Sequence, residues 1–206
     1  MGKAYSEKER DEIQKQLRKV GLRMFAEKGI KKMSVQELTQ EVGIAQGGFY
    51  TFYDSKEAFL FDLMRIRVDE KLSIRYENRG DTLSDPICYI VKWVFDEGMH
   101  LKENKAFNNS ISDSINFFTN CGIKGRMQIG NGYMNYFRKL AEYWNENGFQ
   151  TELDYDGLLN TITAAGILFS NADMIGEPYF AQIYFTFCDS SVRRFLIVRK
   201  RESYDE

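Results

Sequence analysis

Apolar residues recur at three- and four-residue spacing through almost the whole of this chain, few segments alternate with period two, and proline occurs only at Pro86 and Pro178. Such a pattern fits helices that bury one stripe and leaves little sequence for sheet, so the expected fold class is all-α. Each proline follows an acidic residue and precedes an apolar-periodic stretch, where its fixed φ and missing N–H suit a first helical turn. Ile13, Leu17, Val20, Met24 and Phe25 mark a helix over about residues 6–28, ended by Gly29. Ile87, Ile90, Val91, Val94, Phe95 and Leu101 mark another that starts near Pro86. Residues 105–125 set Phe107, Ile111, Ile115, Phe117 and Phe118 among Asn, Ser and Gly, which reads as short helices and loops. Tyr133, Met134, Phe137, Leu140, Ala141 and Trp144 restore a helical stripe, stopped around Asn147-Gly148, and two last helices are expected near 155–173 and 178–199.

Between the first and second long helices the elements become short. Ser34-Val35-Gln36-Glu37 has the form of a capping box, in which the Ser34 hydroxyl and the Glu37 carboxylate satisfy amides at a helix start, a device worth about 1 kcal/mol. Val35, Leu38 and Val42 face inward from that helix, Gly43 stops it, and a second short helix is expected from about Ala45 to Phe52. Asp54-Ser55-Lys56-Glu57 offers a further cap, followed by a long helix with Phe59, Leu60, Leu63, Met64 and Val68 on one side.

With 206 residues, 43% hydrophobic and 15% aromatic content, the chain can bury a sizeable core. A formal net charge of −2 excludes a surface coated in basic residues, so contact with nucleic acid requires a local patch. Residues 1–60 carry 11 Lys and Arg against 9 Asp and Glu, which makes the N-terminal third the basic part. Cys88, Cys121 and Cys188 have neither disulfide-framework nor zinc-site spacing. No apolar run approaches the roughly 20 residues of a membrane span and the N-terminus is charged rather than signal-like, so a soluble cytoplasmic protein is expected.

Two short helices joined by a glycine turn suit a helix-turn-helix, whose second helix presents small and polar residues at its N-terminal tip to the major groove. Gln46-Gly47-Gly48 supplies them. Two adjacent glycines each cost a helix about 1 kcal/mol relative to alanine, and close approach of backbone amides to phosphate is one reason to keep them. A frayed loop without a ligand is the other reading of these residues taken alone.

Phe25-Ala26-Glu27-Lys28-Gly29, Ser34, Leu38, Val42-Gly43-Ile44, Gly47, Phe49-Tyr50, Tyr53 and Ser55-Lys56-Glu57 together resemble the N-terminal signature of the TetR (tetracycline-repressor) family, over about residues 10–60. The resemblance implies a homodimeric regulator that binds double-stranded operator DNA through this region. It further implies a small-molecule effector in a divergent helical C-terminal domain, and repression relieved by that effector. On the family's pattern, Gln46 matches a base-reading position, and Gly47 and Gly48 sit where backbone or a short hydroxyl meets phosphate. Tyr50, Thr51 and Phe52 occupy the following contact positions, Lys56 matches a phosphate-binding lysine, and Gln36 falls where some members reach a base. Gln can pair with adenine N6 and N7, and an ammonium with phosphate. Ala45 stands where a capping hydroxyl is common, Gly48 lacks a Thr-like phosphate contact, and Phe52 cannot hydrogen-bond as Tyr or His would. Ser34 and Ala45 complete the expected DNA-binding set.

Glu97-Gly98-Met99-His100 has half of a di-iron spacing, but His100 is the only histidine, so the second half cannot exist and no metal or cofactor is expected. His100 is read as a helix-end residue or a polar group in a ligand pocket. Gly130-Asn131-Gly132 reads as a helix break or a tight packing point. Trp93, Phe117, Tyr133, Phe137 and Phe169, with His100, are the candidate lining of an effector pocket that suits a hydrophobic or aromatic molecule, although each aromatic also reads as core. Leu158, Ile162, Ala165, Phe169 and Ala172, then Phe180, Ile183, Tyr184, Phe187, Phe195 and Leu196, give two stripes that read as a dimer face or as monomer core. The expected organisation is a helix-turn-helix DNA-binding domain over residues 1–56 and a helical-bundle ligand-binding and dimerisation domain over 57–206. Two alternatives stay open: a regulator controlled by a protein partner or by no ligand, and a helical enzyme.

Overall fold

A computed structural model describes residues 5–105 and 122–202. The helices are α1 (Glu7–Lys28), α2 (Val35–Val42), α3 (Gln46–Phe49), α4 (Lys56–Glu77), α5 (Pro86–Lys105), α6 (Gly122–Glu146), α7 (Tyr155–Ser170), α8 (Ala172–Ile175) and α9 (Tyr179–Phe195). A 3-10 turn, Arg79–Leu83, links α4 to α5. Two strands complete the described elements, β1 (Phe149–Leu153) and β2 (Leu196–Lys200).

The predicted helix starts carry their caps. At α1 the Ser6 hydroxyl accepts from the Glu9 amide while the Glu9 side chain accepts from the Ser6 amide, a complete capping box. At α2 the Ser34 hydroxyl accepts from the Glu37 amide at 3.4 Å, but the Glu37 carboxylate turns to Lys28 instead of closing the box. Ser55 caps α4 by accepting from Ala58 at 3.0 Å. Gly43 ends α2 with φ 78°, a left-handed conformation that glycine adopts without steric cost.

Two cores lie along the chain. Leu17, Met24 and Phe25 of α1, Leu38 of α2, Phe49 of α3, Tyr53, and Phe59, Leu60 and Leu63 of α4 form the first. Leu72 of α4, Ile90, Val91 and Trp93 of α5, Phe137, Leu140 and Trp144 of α6, and the buried sides of α7 and α9 form the second. Helix α4 therefore belongs to both, its N-terminal half packed under the short helices and its C-terminal half in the larger bundle.

The all-α reading needs one addition and several boundary corrections. The final helix stops at Phe195 rather than 199, because Leu196–Lys200 pairs antiparallel with Phe149–Leu153, in the register Phe149 with Lys200 through Leu153 with Leu196. The helix expected over 155–173 divides at Asn171 into α7 and α8, and α3 is a single turn, with Tyr50–Phe52 continuing as a turn rather than a helix. Helix α6 starts at Gly122, well before its aromatic stripe. Gly130 and Gly132 lie inside it and mark close packing, not a break: a Cβ at Gly130 would sit 2.7 Å from Leu159, and one at Gly132 would sit 2.5 Å from the Asp69 carboxylate. The Phe117 expectation lies outside the described residues.

Of the two dimer-or-core stripes, Leu158, Ala165, Phe169, Ala172, Phe180, Tyr184 and Leu196 are buried within this one chain. Ile183 remains on the surface, with Ile167, Met174, Ile175 and Tyr179 around it.

Candidate functional site

The site begins with what holds α3. Phe49 is fully buried and packs edge-on to Phe59 at 5.5 Å and against Tyr53 at 5.7 Å, so the single turn of α3 is pinned from beneath by one aromatic side chain. Its other side is left outward. Ala45, Gln46, Gly47, Tyr50 and Thr51 are exposed, and so is Gln36 on α2. Tyr50 is 54% exposed, a high value for an aromatic ring with no packing duty on that side. Ser34 is half-buried in its cap.

Gly47 has no atom within 4 Å of where a Cβ would stand, so nothing in the chain's own packing demands glycine there. A helix that forgoes about 1 kcal/mol at an outward position leaves room for something outside the molecule. Gly48 is more sheltered, with the Tyr5 hydroxyl 3.5 Å from a built Cβ. The Thr51 hydroxyl donates to the Gly48 carbonyl at 2.7 Å, and Arg10 donates to the Thr51 carbonyl at 2.9 Å. Phe52 is half-buried beneath the Arg10 guanidinium, 5.3 Å from its ring centre, and beside Tyr5 at 5.9 Å. That ring thus packs against α1 and the residues before it. Lys56 is the first residue of α4 and has no acidic partner among the described residues.

Sequence reasoning missed the group that fixes this assembly to the long helix. Asp62 of α4 accepts from Arg18 of α1 at 2.6 Å, from the Tyr53 hydroxyl at 2.8 Å and from Arg65 at 2.8 Å. Burial pushes the Asp62 carboxyl up, but the bonds from Arg18, Arg65 and Tyr53 outweigh it, and the group lies below its ordinary 3.8. Burial, then the bond to Asp62, raises the Tyr53 phenol to about 12, so it stays a donor. Arg65 continues the chain of charge to Asp69 at 2.9 Å. A polar cleft of about 420 Å³ lies along this line between α4 and α6, bordered by Asp62, Arg65, Asp69, Asn131 and Asn135.

The expected effector residues fall elsewhere. Trp93 and Phe137 are buried and Tyr133 half-buried in one aromatic cluster between α5 and α6, with ring centres 6.3 Å apart for Trp93–Tyr133 and 6.0 Å for Trp93–Phe137. Phe169 is buried in the same core. His100 is exposed near the end of α5, and neighbouring Glu97 pairs with Lys71 of α4. The cleft between α4 and α6 shares no lining residue with this cluster. Among the described residues no helix is long and apolar enough to cross a membrane.

Residues 17–63, the stretch that builds the first core, match the family model described as bacterial regulatory proteins, tetR family. The chain is 33% identical over 73 residues to the uncharacterized HTH-type transcriptional regulator YuxN of Bacillus subtilis (strain 168), covering 34% of this chain and 25% of that protein. It is 40% identical over 50 residues to the regulator YerO of the same organism, covering 24% and 17%. The matched stretch thus spans a quarter or less of these relatives' length. Among solved structures, the fatty acid degradation regulator FadR from Bacillus halodurans superposes with a TM-score of 0.50 at 18% identity, covering 92% of this chain and 97% of that one. FadR from Bacillus subtilis, solved in complex with stearoyl-CoA, gives 0.49 at 16% identity, covering 86% and 96%. The likeness in sequence is concentrated where the two short helices are pinned to α1 and α4, so residues 17–63 are what this chain shares with the tetR family of bacterial regulatory proteins.

Proposed function

We propose that this protein is a DNA-binding transcriptional regulator, a repressor that binds an operator as a dimer and leaves it when a small hydrophobic or aromatic molecule occupies the C-terminal bundle. The observation that carries the reading is the outward face of α3: exposed Gln46, open space at Gly47 and exposed Tyr50, with α3 fixed from below by Phe49. Gln46 is the base-reading residue, backbone amides at Gly47 and Gly48 meet phosphate, and Lys56 at the start of α4 pairs with a further phosphate.

Helix α4 supplies a route between the two ends. It starts at Lys56, is tied to α1 and to the turn after α3 through Asp62, and enters the second core at Leu72. A ligand that shifts the C-terminal half of α4 therefore moves the mounting of α3. For that to release DNA, the ligand must bind the displaced arrangement more tightly than the operator-bound one.

Selection of DNA fragments bound by the purified protein, followed by titration of the selected operator with and without candidate ligands, tests this reading. The expected result is a palindromic site whose affinity falls on ligand addition. Binding that is uniform across sequences would remove the regulator reading, and operator affinity that no ligand alters would favour control without an effector.

A further inference from the structure

Beside the Trp93 ring, in the second core, lie three buried hydrogen-bond donors that the described residues leave unpaired. Trp93 is 8% exposed and Tyr136 4% exposed, yet among the described residues the Trp93 Nε1 and the Tyr136 hydroxyl have no hydrogen-bond partner, and neither does the buried Nε of Arg75. The three groups come from three helices, α4, α5 and α6, and meet at one indole. The Arg75 guanidinium lies 4.7 Å from the Trp93 ring centre and Tyr136 packs edge-on to it at 5.4 Å. Arg75 is held there by a bond to the Tyr89 hydroxyl at 3.2 Å and has no acidic partner among the described residues. Native cores rarely leave buried donors unpaired, because each then forfeits its bond to water without replacement. Three in one place, one of them cationic, describe the complement of an oxyanion.

We propose that Arg75, Trp93 and Tyr136 form the acid-recognising end of the effector site, and that the effector is an organic carboxylate whose apolar body packs on Tyr133 and Phe137. The inference rests on the effector reading above and narrows its chemistry. The carboxylate oxygens accept from the Arg75 Nε–H, the indole N–H and the phenol. Arg75 is the cation on the Trp93 ring among the described residues, which suits a monoanion better than a doubly charged phosphate ester. Glu97, whose charge acts on the Tyr133 phenol, is paired with Lys71. Burial holds the Tyr136 phenol well above its ordinary range and the Tyr133 phenol at about 12, so both remain donors at neutral pH. Arg75 lies in the last turn of α4, so a bound acid would act on the helix whose first residue is Lys56.

The test uses the full-length protein and paired probes that share an apolar body: decanoate against decanol, and phenylbutyrate against phenylbutanol. The chain has two tryptophans, and the Trp144 indole already donates to Thr82 at 2.7 Å, so its N–H resonance serves as an internal reference. Carboxylates are expected to shift the Trp93 indole N–H resonance downfield, leave that of Trp144 in place, and bind at least about tenfold more tightly than the matching alcohols. Tyr136→Phe, which removes one unpaired hydroxyl, is expected to keep or raise the melting temperature while weakening carboxylate binding by about tenfold and alcohol binding not at all. Trp93→Phe gives a second measure of the same preference. Equal affinity for acid and alcohol, no carboxylate binding, or a Trp93 resonance unmoved at saturating acid would overturn the proposal. Carboxylate binding that moves Trp93 without changing operator affinity would keep the acid site and remove the release mechanism. Release by the alcohols alone would do the reverse.

Discussion

On the proposed function, Gly47 and Lys56 would meet phosphate and Gln46 would read a base, and substitutions separate these contacts. Replacing Gly47 with Ala meets no atom within 4 Å and should stabilise the short helix by about 1 kcal/mol, yet it places a methyl where phosphate would approach. The expected outcome of Gly47→Ala is a protein that melts later and binds its operator more weakly; a gain or no change in operator affinity would show that the open face is not in contact. Lys56→Ala should weaken binding to all sequences alike and flatten the salt dependence by one phosphate contact, whereas Gln46→Ala should relax preference at particular base pairs. Equal losses for both variants on every sequence would contradict the assigned roles. Away from DNA, Thr82 and Trp144 make a buried pair, 0% exposed at both ends. Thr82→Val keeps the shape but strands the indole N–H, at a cost of about 1–3 kcal/mol in urea unfolding. These positions differ in how readable they were from sequence. Gln46, Gly47 and Lys56 lie within one short ordered pattern, whereas Thr82 and Trp144 are 62 residues apart and nothing local announces their bond.

At the level of elements, α4 joins the two cores and Asp62 fastens it to α1 and to Tyr53. Asp62→Asn should cost about 2 kcal/mol by removing the charge that Arg18, Arg65 and Tyr53 share. Since the carboxyl lies below its ordinary 3.8 in the folded chain, its contribution is fully present above that value and is lost as pH falls through the depressed one. The stability difference between the native protein and the Asn variant should accordingly be constant near neutrality and shrink toward zero in acid, as followed by denaturant titration at several pH values. A difference that grows in acid would contradict the sign. The lengths of α1, α2 and α4 were legible because caps and apolar stripes are local. Ser6–Glu9 has the same form as Ser34–Glu37 and is the box that closes fully, since Glu37 has Lys28 within reach and Glu9 stays with its own cap. The end of α9 was not legible. Leu196-Ile197-Val198 continues the apolar run of α9 in sequence, and only pairing with residues 149–153, more than 40 positions earlier, gives the β-branched Ile197 and Val198 a better place in a sheet. The Arg18–Asp62 and Arg75–Trp93 pairs escaped for the same reason: each joins residues from different helices, and a period of 3.6 reports only one helix at a time.

At the scale of the whole molecule, several large apolar residues of the last three helices stand exposed among the described residues. Tyr179 and Ile183 are one turn apart on α9 and 65% and 48% exposed; Ile167 of α7 is 47% exposed, and Met174 of α8 is 85% exposed. The core-facing residues of the same helices, among them Leu158, Phe169, Phe180 and Tyr184, are already buried within one chain, so the exposed residues are not part of its core. Exposed apolar surface of this kind marks a partner, and two recognition helices reading half-sites about one DNA turn apart require a second copy. On the proposed function, this set of residues would be the dimer contact. Ile183→Arg tests it, because a residue already open to solvent can take a charge with little effect on the fold of one chain. Light scattering on the unsubstituted protein should give twice 24.1 kDa, and the variant should fall toward 24.1 kDa with an unchanged helical spectrum. Operator affinity should fall with it, since each half-site alone loses the gain from linked binding, while contact with an isolated half-site should persist. A variant that remains at twice 24.1 kDa would place the dimer contact elsewhere on the bundle, and an unsubstituted protein of 24.1 kDa that still binds the full operator tightly would remove the need for pairing.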